Sequence, residues 1–226
     1  MLEFVYCIPL EAKMELVCLD LEGVLIPEMW VAFAEAVGIP ELKRTTRNEP
    51  DYDRLMRFRL EILKQHGLGL REIERVVATL EPLPGAKTFL DGLRERYQVI
   101  ILSDTFQELA RPLMRQLGWP TLFCHNLVVA PDGTITGYRL RMKDQKREAV
   151  KRFKELNFRV VAAGDSYNDT TMLAEADAGI LFRAPQVVVE AFPQFPLVPE
   201  AYSELRAAID DAFARIAQER QEAAAR

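Results

Sequence analysis

Three apolar runs in this chain of 226 residues each stop at a carboxylate or a hydroxyl. Leu16-Val17-Cys18-Leu19 stops at Asp20, Val99-Ile100-Ile101-Leu102 at Ser103-Asp104, and Val160-Val161-Ala162-Ala163-Gly164 at Asp165. Short apolar runs flanked by helical pattern read as parallel strands buried on both faces. Ligands of open parallel sheets sit in the crevice beyond the carboxyl ends of the strands, so Asp20, Ser103 and Asp165 are expected to converge. Two carboxylates brought that close repel unless a cation or a shared proton stands between them. Such a set suits metal-dependent transfer of a phosphoryl group.

The neighbours of these residues extend the pattern. Glu22 follows Asp20 by two positions, and Gly23 lets the chain bend back so that a backbone carbonyl and a side chain face one pocket. Asp20 as nucleophile and Glu22 as proton donor is a workable division of labour, although Asp20 taken alone reads equally well as a turn cap. In Gly164-Asp165-Ser166-Tyr167-Asn168-Asp169, helix capping explains Asn168 or Asp169 but not the whole cluster. A hard cation such as Mg2+ prefers one or two carboxylates with waters and phosphate oxygens, a count that Asp20 and Asp165 meet.

Helical phase singles out two cations. Lys146, Val150 and Phe153 fall at i, i+4 and i+7, so Lys146 shares an apolar stripe that Arg147, Lys151 and Lys154 miss. The default for so basic a stretch is a solvated face. Arg59 stands at the centre of a stripe made by Tyr52, Leu55, Met56, Ile62, Leu63 and His66. It either pairs with a buried acid or points into the cleft to hold a substrate carboxylate bidentately. His66 and His125 lack nearby ligand partners and are expected to be structural, and Trp30 and Trp119 to belong to the core or the cleft wall. Gly67-Leu68-Gly69 follows no strand and is no dinucleotide loop.

These residues need a scaffold, and the pattern supplies an α/β fold. After the first strand, helices are predicted from Pro27 to Gly38, from a cap at Asp51 to about His66, and over 70–80, with 39–50 as a loop. Alternation then resumes: a helix carrying Phe89, Leu90 and Leu93, the second strand, and a helix ending at Gly118. A hairpin over 122–141 turns at Asp132-Gly133. Helices near 145–157 and 168–176 flank the third strand, and a short strand covers 179–182. The stretch 192–199 is expected to be a loop and 202–226 a helix. The domain expectation is a catalytic core of 14–26 and 84–226, a helical cap of 27–83, and a dispensable extension of 1–13 ahead of Met14.

Composition narrows the classes. With 49% apolar residues the chain can bury a substantial core, and a formal charge of -5 gives no reason to expect nucleic acid. Cys7, Cys18 and Cys124 are widely spaced, which argues against a disulfide framework or zinc site and for a reducing cytoplasm. No run approaches the roughly 18 to 20 apolar residues of a membrane helix. No basic segment precedes the first ten residues, so no secretory signal is expected.

The three strand-end motifs, with Lys146 between the second and third, resemble the haloacid dehalogenase superfamily of aspartyl-phosphate enzymes. The resemblance implies a Rossmann-like parallel sheet core with a small helical cap inserted after the first strand. That insertion is similar to the cap of the phosphoserine phosphatases. Four segments look closer still to a bacterial branch that also transfers the phosphoryl group to homoserine: Asp20–Val24, Ser103–Phe106, Pro112–Gly118 and Ala163–Leu173. By this likeness Asp20 is the nucleophile, Ser103 bonds the phosphoryl group and Lys146 offsets its charge. Mg2+ is held by Asp20, the Glu22 carbonyl and Asp165, with Asp169 in support and Asn168 near the phosphate. Arg59 and Glu28 clamp the carboxylate and ammonium of phosphoserine, and Asp104 also lies on the substrate side. Phosphoserine, serine and homoserine are the implied partners, and a homodimer is compatible with the resemblance.

Two departures stand out. Most phosphatases of the superfamily carry Asp where this chain has Glu22, so its longer carboxyl must fold back to reach the same place. Ser103-Asp104 replaces the serine-glycine pair of simple phosphoserine phosphatases. Rival readings are a capped phosphatase for another small phosphorylated metabolite and, from another class, a phosphate-sensing module without turnover.

Overall fold

The computed structural model describes residues 14–46, 49 and 51–224. The predicted extension 1–13, with Cys7, lies outside them. Seven strands form one sheet: β1 (Glu15–Leu19), β2 (Gln98–Phe106), β3 (Thr121–Val129), β4 (Ile135–Arg139), β5 (Arg159–Gly164), β6 (Ala178–Phe182) and β7 (Leu197–Val198). The helices are α1 (Met29–Val37), α2 (Tyr52–Gln65), α3 (Leu70–Val77), α4 (Ala86–Arg94), α5 (Gln107–Gln116), α6 (Gln145–Glu155), α7 (Thr170–Glu175), α8 (Gln186–Ala191) and α9 (Tyr202–Ala224). None of the described helices is long and apolar enough to cross a membrane.

The strand order is β4-β3-β2-β1-β5-β6-β7, parallel throughout except for the antiparallel β3–β4 hairpin. Successive side chains of a strand point to opposite faces, and here both faces are dry. Val17, Leu19, Ile101, Val161 and Ala163 join the larger core with α4, α5 and α9. Leu16, Cys18, Leu102, Val160 and Ala162 join a second core with residues of α6, α7 and α8. The chain runs outward from β1 to β2 and β3, then crosses to β5 on the other side. The reversal makes a crevice at the end of β1, the usual ligand position in a doubly wound sheet.

Between β1 and α4 the elements formed by the described residues are, apart from an isolated Glu22–Ile26 bridge, helical: α1, a 3-10 turn at Pro40–Lys43, α2 and α3. Gly38 ends α1 at φ 70, a left-handed conformation that glycine takes without penalty. This helical segment touches the sheet at separated points. Tyr52 Oη donates to the Asp104 carbonyl at 2.6 Å, and Leu70 N donates to the Gly133 carbonyl of the hairpin turn at 2.9 Å.

Several sequence expectations need correction. His66 lies just past the end of α2 and is exposed, so it does not share the Arg59 stripe. Trp119 is 58% exposed, because the turn after Gly118 holds it at a φ of 54 and throws the ring outward. The stretch 192–199 contains β7, which adds a parallel edge to β6, and α8 precedes it without having been expected. The helix expected over 168–176 begins as a 3-10 turn, Tyr167–Asp169.

The helix that carries Tyr52 and Arg59 is capped by Asp51, whose side chain accepts from the Arg54 amide at 3.1 Å. Asp51→Ala should therefore lower unfolding free energy by about 1 kcal/mol, read from the urea midpoint at constant slope.

Candidate active site

Each acidic residue reaches the crevice from a different element. Asp20 follows β1, and its amide still donates to the Ala163 carbonyl of β5 at 2.9 Å, so the ladder sets its height. Ser103 and Asp104 lie where the pairing of β2 with β3 slips between Leu102 and Phe106. Such irregularities re-aim side chains beside active sites. Asp165 and Asp169 flank the turn after β5. Lys146 comes from the first turn of α6, which Asp144 opens in a left-handed conformation, φ 49, with its carboxylate accepting from Thr171 Oγ1 at 2.8 Å.

Lys146 is 2% exposed, and its ammonium donates to Asp20 Oδ1 and Asp169 Oδ1, both at 2.7 Å. Asp104 Oδ2 stands 3.8 Å away. Burial alone would pull the lysine pKa down, but Asp169, Asp20 and Asp104 hold it well above its ordinary value. Asp20 is raised by burial and by Asp169, with Lys146 opposing. One ammonium does not balance this many buried carboxylates, so the cluster could accommodate a further positive charge.

Oxygens of Asp20, Asp165 and Asp169 lie within 4.8 Å of one another, a hard-oxygen cluster of the kind that Mg2+ or a similar cation takes. The three are not equivalent. Asp169 Oδ1 is engaged by Lys146, and Oδ2 accepts from the amides of Asp165 and Ser166, each at 3.0 Å. Asp169 is thus engaged on both oxygens by the protein itself, whereas Asp20 and Asp165 could each offer an oxygen to a cation. The Asp165 carboxylate rests against Gly23: a Cβ there would stand 2.5 Å from Oδ2, and φ is +80. Glycine at 23 therefore lets the chain just after Glu22 close on the acid.

The Glu22 carboxyl is tied to the start of α1. Its Oε1 accepts from the Met29 amide, the first of α1, at 2.7 Å. Burial, then Glu28, push its pKa up to about 8, with the Met29 amide, Arg59 and Lys146 opposing. These surroundings favour its protonated form. Ser103 is buried, and its Oγ accepts from the Thr105 amide at 3.2 Å.

The cleft beside these residues is lined by Glu22, Glu28, Trp30, Tyr52, Arg59, Ser103, Asp104, Thr105, Lys146 and Asn168, among others. Arg59 is 5% exposed, with its guanidinium 4.4 Å above the Trp30 ring and Nη2 donating to the Arg44 carbonyl at 2.7 Å. Among the described residues no carboxylate lies within 4 Å of it, and its Nε has no hydrogen-bond partner. Burial draws its pKa down to about 10, so it keeps its charge at neutral pH. Of the two options open in the sequence, the buried ion pair is not the one seen.

The structure thus brings all ten candidate residues, Asp20, Glu22, Glu28, Arg59, Ser103, Asp104, Lys146, Asp165, Asn168 and Asp169, to one crevice and its braces. Sequence reasoning did not place Tyr52, Thr105 or Gln145 at the cleft, and His125, expected to be structural, is buried beside Asp104. Gln145 Nε2 donates to the Ser103 carbonyl at 2.6 Å, and the buried Thr105 hydroxyl has no partner among the described residues. Adjacency to Ser103 and Lys146 was the one signal for Thr105 and Gln145.

A parallel sheet with a buried lysine, an oxygen cluster at its carboxyl edge and helices over the opening defines a capped α/β hydrolase. Residues 14–177 match the family model of the haloacid dehalogenase-like hydrolases, and the chain belongs to that family. Phosphoserine phosphatase ThrH of Pseudomonas aeruginosa is 62% identical over 193 residues, covering 85% of this chain and 94% of that protein. A phosphoserine phosphatase of Pseudomonas syringae pv. tomato is 59% identical over 196 residues, covering 87% and 82%. The fold is also that of a substrate-bound phosphoserine phosphatase complex, with a TM-score of 0.70 at 23% identity, covering 84% of this chain and 94% of that one.

The turn after β5 leaves no room for a side chain at Gly164, where a Cβ would lie 2.4 Å from Asp169 Cγ. Gly164→Ala should push Asp169 off Lys146, costing about 1–3 kcal/mol of stability with loss of most activity at temperatures where the variant stays folded. Denaturation and rate assays on the same sample check this.

Proposed function

We propose that the chain is a Mg2+-dependent phosphoserine phosphatase that forms an aspartyl phosphate on Asp20 and also passes the phosphoryl group to homoserine. The observation that carries this reading is the pairing of two features in one cleft. At its floor Lys146 grips Asp20, and in its roof Arg59 makes no salt bridge within 4 Å to any carboxylate among the described residues, with Glu22 and Glu28 acting on it only from farther off. The names of the two Pseudomonas relatives support the substrate.

In this reading Asp20 attacks phosphorus in line while Glu22, protonated beforehand, gives its proton to the departing serine oxygen. Glu22 then holds a lone pair with which to take a proton from water or from the homoserine hydroxyl, which attacks the aspartyl phosphate. Ser103 and Asn168 donate to the phosphoryl oxygens, and Lys146 offsets their charge. Catalysis of this kind is mostly positioning and electrostatics. Arg59 takes the substrate carboxylate bidentately, and Glu28, two residues before Trp30 on the same wall, takes the ammonium. Mg2+ would be held by Asp20, the Glu22 carbonyl and Asp165, and supplies charge stabilisation at the phosphoryl oxygens when bound. Residues 27–83 serve as the lid of a core formed by 14–26 and 84–226, and govern how much water reaches the intermediate. A cytoplasmic setting fits the buried free thiols of Cys18 and Cys124, and a homodimer is compatible with this reading.

Pure protein incubated with phosphoserine, Mg2+ and homoserine should release phosphate and form phosphohomoserine, while Asp20→Asn yields neither. Near-normal turnover by that variant would remove the nucleophile. Arg59→Ala should raise KM for phosphoserine by about 10- to 100-fold, the loss of one charged hydrogen-bonding pair, and leave a phosphate ester lacking a carboxylate nearly unaffected. Equal effects on both esters would point instead to another small phosphorylated metabolite.

A further inference from the structure

Asp104 stands where a bare backbone would serve to place Ser103, and its carboxylate is enclosed by donors of the protein. Oδ2 accepts from Asn168 Nδ2 at 2.9 Å and faces the Lys146 ammonium at 3.8 Å. Oδ1 accepts from Gln145 Nε2 at 3.4 Å and faces His125 Nε2 at 3.4 Å. A carboxylate offers about four lone-pair sites, and four donors surround this one. Burial opposes ionisation here, but Lys146, His125 and Asn168 hold the carboxyl well below its usual range.

His125 is 3% exposed and its tautomer is dictated by the backbone. Its Nδ1 accepts from the Arg141 amide at 3.1 Å, so the ring proton sits on Nε2, the nitrogen that faces Asp104. The opposite oxygen of Asp104 then decides how the Asn168 amide lies. An acceptor beside Nδ2 sends Oδ1 the other way, toward the hydroxyls of Ser166 and Thr46. Nδ2 keeps a second hydrogen, and Asn168 lines the cleft. The cap packs on the same assembly: Tyr52 donates to the Asp104 carbonyl, and its ring meets His125 edge-on with centroids 5.8 Å apart.

We infer that Asp104 and His125 are a positioning pair: His125 orients the Asp104 carboxylate, which in turn aims Asn168 at the transferring phosphoryl group and adds its charge beside Lys146. Asp104 on this account is not a ligand of the substrate ammonium. The inference rests on the phosphoryl-transfer reading given above, and extends it to a histidine outside the cleft-lining set.

Substitutions at His125 separate positioning from packing. Glutamine places its amide nitrogen near the site of imidazole Nε2, whereas asparagine reaches only the site of Nδ1. His125→Asn should lower kcat for phosphoserine by about 10- to 100-fold, as expected when a catalytic group is misplaced by a fraction of an ångström, with KM changed less than about threefold. His125→Gln should recover kcat to within about threefold of wild type. Asp104→Asn, isosteric and able to fold if the His125 variants do not, should lower kcat in the same way with KM retained. Thermal melting reports the folded fraction for each. Wild-type kcat in a folded His125→Asn or Asp104→Asn overturns the inference, as does an equal loss in His125→Asn and His125→Gln. A raised KM with unchanged kcat in Asp104→Asn returns that carboxylate to the substrate ammonium. Absence of phosphoserine turnover by the wild type itself is a different failure, that of the underlying reading, and takes the inference with it.

Discussion

A lysine ammonium sealed from water is tolerable only when carboxylates surround it, because an unpaired buried charge costs several kcal/mol. Lys146 sets that condition for this molecule. Its counter-charges come from β1, from β2 and from the turn after β5, so strands remote in sequence must end level with one another around the first turn of α6. The strand order, with β1 between β2 and β5, achieves this. The left-handed backbone at Asp144 has the same purpose, since it aims the start of α6 into the crevice. The remaining excess of negative charge among Asp20, Asp165 and Asp169 creates the demand for a hard cation.

Much of this was readable in the chain, for particular reasons. A buried strand that ends in a carboxylate carries two signals at once, the apolar run and its polar stop, so Asp20, Ser103 and Asp165 were visible together. Lys146 and Arg59 were found because helical phase separates a buried cation from solvated neighbours. Phase failed at His66, where the helix ends and its angular rule ends with it. Trp119 was misjudged because hydrophobicity does not report the positive φ that turns its ring outward. β7 and α8 escaped notice because two and six residues are too short to show a period. Gln145, His125 and Tyr52 owe their places to contacts across more than forty positions, or across elements, that no local pattern encodes.

The arginine in the cleft roof illustrates a related point. Its guanidinium is stacked on Trp30 and steadied by the Arg44 carbonyl, interactions that hold it without neutralising it. A buried cation kept in this condition is what the proposed capture of a substrate carboxylate requires. The hairpin of β3 and β4 contributes as well, since Leu70 and Tyr52 anchor the helical segment to it and to its neighbouring strand.

The hydrogen bond from the Met29 amide joins the Glu22 carboxyl to the first helix of the segment between β1 and α4. Any outward swing of that segment must drag this carboxyl away from the aspartate or break its tether. In the function proposed above, an opened cap would therefore hold its acid out of reach of the aspartate. On that reading the fold would carry a safety interlock, with the trigger mounted on the door.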